Sequence, residues 1–194
     1  MLRPEPGAAA TRTGTSTPTG QSPLCVGSTR STRYNLAVVR PERGRVWTRA
    51  VIPADWAARA EVLRLLSGQF TELEIPVPAA RLAQAVDGVL ADGSRGVFLL
   101  AFSDAQSAGV AYLSYQWTLE HGGKIAWLEE LYVEPRLRAH GLGQKLLVAA
   151  LDHARSAGCL AVDLEVENSH PRAANLYRRE GFLPLDRSRF YRRL

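Results

Sequence analysis

The chain has 194 residues, 46% hydrophobic and 22% charged, enough for one domain with its own core. No run of eighteen or more apolar residues exists, which excludes a transmembrane helix, and two cysteines, Cys25 and Cys159, exclude a disulfide framework or a four-cysteine zinc site. The formal net charge of +5 points at first to an anionic partner such as nucleic acid, yet all of it sits in residues 1–45, where seven arginines face Glu5 and Glu42; residues 46–194 balance 17 bases against 17 acids.

Residues 1–45 form a basic tail rich in Thr, Ser, Pro and Gly. Too little apolar surface is present to offset its ordering entropy, so disorder is expected. It has no continuous apolar core of the kind a secretory signal needs, and a cytoplasmic location is expected. A folded domain is expected over 46–194. It begins with a strand at Val46–Ile52, alternating apolar and polar and stopped by Pro53. Helical spacing follows from Ala54 to Phe70, with a stripe of Trp56, Ala60, Val62, Leu63 and Leu66, and again from Ala79 to Leu90. The apolar run Val97–Phe102 reads as a strand buried on both faces. A longer strand spans Val110–Leu119, turns through Glu120-His121-Gly122-Gly123, and returns as Lys124–Val133. Leu142, Leu146, Leu147, Ala150, Leu151 and Ala154 then make one face of a helix ending near Gly158. Strict alternation from Leu160 to Glu167 predicts a strand, Pro171–Arg179 a short helix with Gly181 past its end, and Phe182–Leu194 a last strand.

The order β-α-α-β-β-β-α-β-α-β predicts an α/β (α+β) fold with one mixed, mostly antiparallel central sheet and helices on both faces. The neutral domain is itself polarised. Residues 46–134 carry 6 bases against 11 acids, and residues 135–194 carry 11 bases against 6 acids.

The sharpest local feature is Arg138-Ala139-His140-Gly141-Leu142-Gly143-Gln144-Lys145 after a strand ending Val133-Glu-Pro135. Glycines at a helix start let a ligand approach the backbone, and the first N–H groups there lack partners at the positive end of the helix dipole. This is an anion site of the kind that takes a pyrophosphate. No Walker A loop is present, and Leu146 stands where a dinucleotide fingerprint needs a third glycine. The four histidines have no metal-ligand spacing, so no metal site is expected.

The segment Val133-x-Pro135 followed by Arg138-x-x-Gly141-x-Gly143 resembles the acyl-CoA-binding signature of the GNAT superfamily of N-acetyltransferases. Downstream, Ala173-x-x-Leu176-Tyr177-x3-Gly181-Phe182 is similar to that family's second segment, in the right order. The resemblance covers about residues 46–194. It implies acetyl-CoA as co-substrate, held by backbone amides from Ala139 to Lys145 and by the edge of Leu131, Tyr132 and Val133, which would pair with pantetheine like an added strand. The family's cofactor-contacting Asn is replaced by His170 here, so Asn168 and His170 are both candidates for that contact. Tyr177 is implied as the acid that protonates the leaving thiolate, and the Leu131 N–H as the donor to the carbonyl oxygen.

The run Leu128-Glu129-Glu130-Leu131-Tyr132-Val133 resembles the diamine acetyltransferase branch. Strand alternation sends Glu129 and Glu130 to opposite faces, with Glu129 on the face of Leu131 and Val133. Glu129 is the first candidate base and Glu130 the second, with Glu130 and Glu120 as contacts to a cationic acceptor. The expected activity is acetylation of a primary amine on a polyamine-like or aminoglycoside-like molecule. A peptide N-terminus or lysine is the alternative acceptor, and an acyl-CoA-binding module without turnover is the alternative outside enzymes. No nucleic-acid or membrane partner is expected; a homodimer fits the family.

Overall fold

A computed structural model describes residues 46–138 and 140–192. The expected disorder of residues 1–45, and the predicted phosphate-loop residue Ala139, fall outside the described residues.

Strand β1 (Val46–Ala50) leads into helix α1 (Trp56–Glu72), which starts where Asp55 accepts a hydrogen bond from the Ala58 N–H at 2.8 Å, a side-chain N-cap. Helix α2 (Ala79–Leu90) follows, then the antiparallel strands β2 (Gly96–Ser103), β3 (Gln106–Thr118) and β4 (Gly123–Val133). A 3-10 turn at Pro135–Leu137 leads to α3 (Leu142–Ser156), β5 (Val162–Leu164) and α4 (Pro171–Arg179). The sheet order is β1-β2-β3-β4-β5, antiparallel except for the parallel pair β4–β5. The expected mixed, mostly antiparallel α/β (α+β) sheet is therefore present. Among the described residues no helix is long and apolar enough to cross a membrane.

Strand alternation splits the core into two layers. Phe98, Leu100 and Phe102 face α1 and α2 together with Val110 and Tyr132, while Leu99, Ala101, Ala111 and Leu113 face α3. β2 is buried on both faces, as its unbroken apolar run predicts. Arg64 of α1 pins the helix across the sheet end, pairing with Glu134 after β4 and donating to the Ser107 carbonyl of β3 at 3.0 Å. The buried stripe of α1 is Ala58, Val62, Leu65, Leu66 and Gln69, rotated from the predicted one, and Trp56 is 73% exposed.

Two predicted strands differ. β5 is three residues long instead of eight, because its pairing to β4 stops at Leu128 opposite Leu164. Beyond that point the strands have no ladder, and Val166 is exposed. The predicted last strand over 182–194 is without regular structure through Arg192. Pro184 removes a ladder donor, and the segment is held by side chains instead: Arg187 on Glu120 and Arg189 on Glu165, each at 2.5 Å.

Candidate active site

The end of β4 departs from simple alternation. Tyr112 of β3 pairs with Glu130 and Leu113 with Leu128, so Glu129 has no partner on β3 and forms a β-bulge. The extra residue resets the faces. Glu130 reaches Gln69 of α1, on the side of Tyr132, and Glu129 accepts from the Ser114 hydroxyl at 2.7 Å, two residues along β3 from Tyr112, which packs in that same layer. Both carboxylates thus lie on the α1 side. The expected opposite faces are overturned, and so is the expected sharing of a face by Glu129, Leu131 and Val133, since Leu131 and Val133 pack toward α3.

The same reset turns the backbone. Glu134 donates its N–H to Ala108 of β3, and a Cβ on Gly109 of β3 would stand 2.7 Å from the Tyr132 carbonyl. Tyr132 and Glu134 therefore direct their backbone to β3, and Leu131 and Val133 direct theirs to the opposite edge. That edge is open because β5 has already ended. Of the three predicted pantetheine contacts, Leu131 and Val133 face the gap; Tyr132 does not. The Val133 carbonyl accepts from Arg138 Nε at 2.8 Å.

Arg138 is fixed in place. Its two terminal nitrogens hold Glu72 of α1 in a bidentate pair, each bond 2.6 Å, and its guanidinium lies 5.5 Å from the Tyr132 ring centroid. Glu72 raises the pKa of Arg138, and Arg138 lowers that of Glu72. The side chain therefore ties the loop before α3 to α1. The predicted anion site is the helix start itself. Gly141 caps α3 at φ 74°, ψ 4°, in the left-handed region, with no side chain satisfying the first N–H groups. A Cβ at Gly141 would meet nothing within 4 Å, so the backbone there is open to a ligand. Gly141→Ala is accordingly expected to destabilise the chain by about 1 kcal/mol through backbone conformation alone, read as a lowered urea midpoint with unchanged slope.

The remaining predicted contacts are spread more widely. His140 places Nδ1 2.8 Å from the Arg138 carbonyl, Gln144 donates to Glu180 at 2.7 Å, and Lys145 closes the first turn with its N–H on Gly141. Leu142 is buried beneath them, and a Cβ at Gly143 would stand at ordinary contact distance from Val133 and Leu176. His170 is the N-cap residue of α4, and Asn168 lies in the exposed turn before it. Glu120, a predicted acceptor contact, is taken by Arg187.

Tyr177 of α4 is half-buried, edge-on to Phe182 with ring centroids 5.7 Å apart. Burial, with the nearby Glu130 carboxylate, pushes its phenol up to about 12. Burial likewise raises Glu130 to about 7, with the Gln69 hydrogen bond pulling down and Glu129 pushing up. The gap thus holds a carboxyl poised to exchange a proton near neutrality and a phenol that keeps its proton. These are two groups of different acidity set apart by environment, as acid–base chemistry requires. Beside them lies a pocket of about 320 Å³ lined by Gln116, Trp127, Glu129, Glu165 and Arg189. Gln69, Ser114, Glu165 and Arg189 escaped the sequence reading. Only Gln69 left a signal there, a polar residue three after Leu66 on the apolar stripe.

The family profile described as Acetyltransferase (GNAT) family matches residues 59–182. The aminoglycoside N(6')-acetyltransferase type 1 of Stenotrophomonas maltophilia is 34% identical over 149 residues, 74% of this chain and 90% of that protein. Among solved structures, an aminoglycoside acetyltransferase from an uncultured soil metagenomic sample, in complex with sisomicin, superposes with a TM-score of 0.65 at 15% identity, covering 77% of this chain and 96% of that one. An aminoglycoside N-acetyltransferase in complex with CoA superposes with a TM-score of 0.64 at 18% identity, covering 80% and 99%. At these identities the two structures speak for the fold.

Proposed function

Because the chain belongs to the acetyltransferase (GNAT) family, we propose that this acyltransferase moves an acetyl group from acetyl-CoA to a primary amine of a cationic small molecule, polyamine-like or aminoglycoside-like. The observation that carries it is geometric: Glu130, held by Gln69, and the half-buried Tyr177 stand near one another beside the gap where β5 has left β4. The 34% identity to an aminoglycoside acetyltransferase supports the acceptor class, as does the exposed Glu129 carboxylate in the neighbouring pocket, where Glu165 is already paired with Arg189.

The residues present fit acetyl-CoA. The uncapped N–H groups of α3 and the open backbone at Gly141 suit its pyrophosphate, and the free edge at Leu131 and Val133 suits its extended arm. When bound, it supplies an acetyl thioester. The acceptor ammonium is drawn by Glu129, whose carboxylate lines the pocket beside Trp127. Glu130 takes one proton from the acceptor nitrogen and passes it to solvent, the Leu131 N–H steadies the carbonyl oxygen as the C–N bond forms and the C–S bond breaks, and Tyr177 gives its phenolic proton to the departing sulfur and is restored by the second proton the nitrogen sheds. We therefore assign the base to Glu130 and the cation contact to Glu129, the reverse of their expected order. Among the described carboxylates, Glu130 alone combines burial, a near-neutral pKa and proximity to Tyr177.

The test is release of free CoA thiol with acetyl-CoA and a panel of putrescine, spermidine, kanamycin and a Ser-initiated peptide. Thiol release with one of the cationic amines is expected. Acetyl-CoA at a hundredfold excess over its Kd is expected to stabilise the fold by about 2.7 kcal/mol, read as a raised thermal midpoint. Stabilisation without thiol release on any amine would leave an acyl-CoA-binding module; release on the peptide alone would move the acceptor class.

A further inference from the structure

The first layer of the core holds one polar side chain that no packing argument explains. Gln69 of α1 is 8% exposed, on the stripe that carries Val62, Leu65 and Leu66. Its Nε2 donates to Glu130 Oε2 at 2.6 Å. Its Oε1 is buried without a partner, one of two such side-chain atoms among the described residues, the other being Thr118 Oγ1. A buried unpaired amide oxygen is costly, and an apolar residue of the same shape would avoid it.

The chemistry of the neighbour makes the orphan oxygen intelligible. An amide has a donor end and an acceptor end of nearly the same shape. While Glu130 is ionised it is acceptor-only, and the Nε2 end belongs against it. Once Glu130 carries a proton, it becomes a donor, and half a turn of the amide brings Oε1 to receive that O–H. Each end of Gln69 therefore has its partner in one protonation state of Glu130. The other titratable groups facing Glu130 are Glu129 on its own strand and Tyr177 from α4, with Tyr112 opposite it on β3. Each phenol, kept protonated by burial, can both donate and accept, but the hydrogen bond to Glu130 comes from Gln69.

We propose that Gln69 is a positioning residue that follows the base through the reaction. Its N–H holds the ionised Glu130 toward the gap before transfer, and its carbonyl oxygen accepts the O–H after Glu130 has taken the amine proton, until that proton passes to solvent. No bond other than the N–H of the amine and the O–H of Glu130 changes in this step. The role rests on Glu130 being the base.

The experiment follows the Glu130 side-chain carboxyl by ¹³C NMR titration, alongside the pH profile of kcat/KM for the amine that the panel identifies, in the wild-type chain and in Gln69→Leu. Loss of the donor to the ionised form is expected to raise the titration midpoint and the acid limb of kcat/KM together by about one pH unit. The rate loss is about fivefold at pH 7 and disappears about two units higher, as a shift of that size requires. Gln69→Met, longer and closer to Gln in shape, is expected to give the same shift. A midpoint that stays where it is, or a rate loss equal at every pH, overturns the role of Gln69 and leaves Glu130 standing as base. A midpoint that moves while the kinetic limb stays overturns Glu130 as the base, and the proposal with it.

Discussion

Glu130→Gln is expected to lower kcat/KM for the amine about a hundredfold at neutral pH, a typical loss for a positioned general base. The amide keeps the shape of Glu130 but takes no proton. The direction of the pH dependence follows from burial. Glu130 titrates near 7, above the ordinary carboxylate value, because the desolvated site disfavours its charge. Its active form is the ionised one, so kcat/KM in the wild-type chain rises as pH passes upward through about 7, and that limb is absent from Glu130→Gln. Glu129→Gln is expected to behave differently. That carboxylate is exposed, accepts from Ser114 and lines the pocket beside Trp127. Its removal should raise KM for a di- or polycation several-fold and leave kcat within about twofold, because an ion pair to the bound amine holds ground state and transition state equally.

Tyr177→Phe is expected to lower kcat about thirtyfold, with KM for both substrates nearly unchanged. The ring keeps its edge-on packing against Phe182, 5.7 Å between centroids, so the seating of α4 is preserved and only the proton donor is removed. Because burial and Glu130 hold the phenol up to about 12, its ionisation lies above the working range, and no alkaline limb from Tyr177 is expected at neutral or mildly alkaline pH. A thiolate less basic than an alkoxide can leave without help, which is why this effect is smaller than that at Glu130. Fluorinated tyrosine at position 177 gives the graded test: with a more acidic phenol the rate should change, and an unchanged rate would make Tyr177 a packing residue.

Much of the fold was legible because its period changes are sharp. Helices α2 and α4 begin and end at their predicted residues, since each is bracketed by proline at one end and a turn at the other. The phosphate-loop glycines were legible for a similar reason: helix starts have their own composition. The bulge at Glu129 was not. A strand with one extra residue has the same composition as a strand without it, so alternation sent Glu129 and Glu130 to opposite faces, when pairing with Tyr112 and Leu113 sets them on one. That single residue decides which carboxylate is buried.

The charge pattern was legible but its use was not. The acidic stretch 46–134 and the basic stretch 135–194 point in sequence to two differently charged substrates. In the structure part of that contrast is spent internally, Arg138 on Glu72 and Arg187 on Glu120. Arg187 and Arg189 also explain why residues 182–192 lie without ladder bonds: their apolar spacing resembles a strand, but proline and ion pairs hold them instead. Beside the gap, Glu129 takes its hydrogen bond from a neutral hydroxyl, Ser114.

The central claim is that Glu130 takes the proton of an amine as acetyl-CoA is consumed. Amine-dependent thiol release, followed across the neutral pH range in the wild-type chain and in Glu130→Gln, tests it most directly. An acid limb near pH 7 in the wild type, missing from a Glu130→Gln profile that lies about a hundredfold lower, is the result expected. The same limb at the same height in both proteins would contradict it.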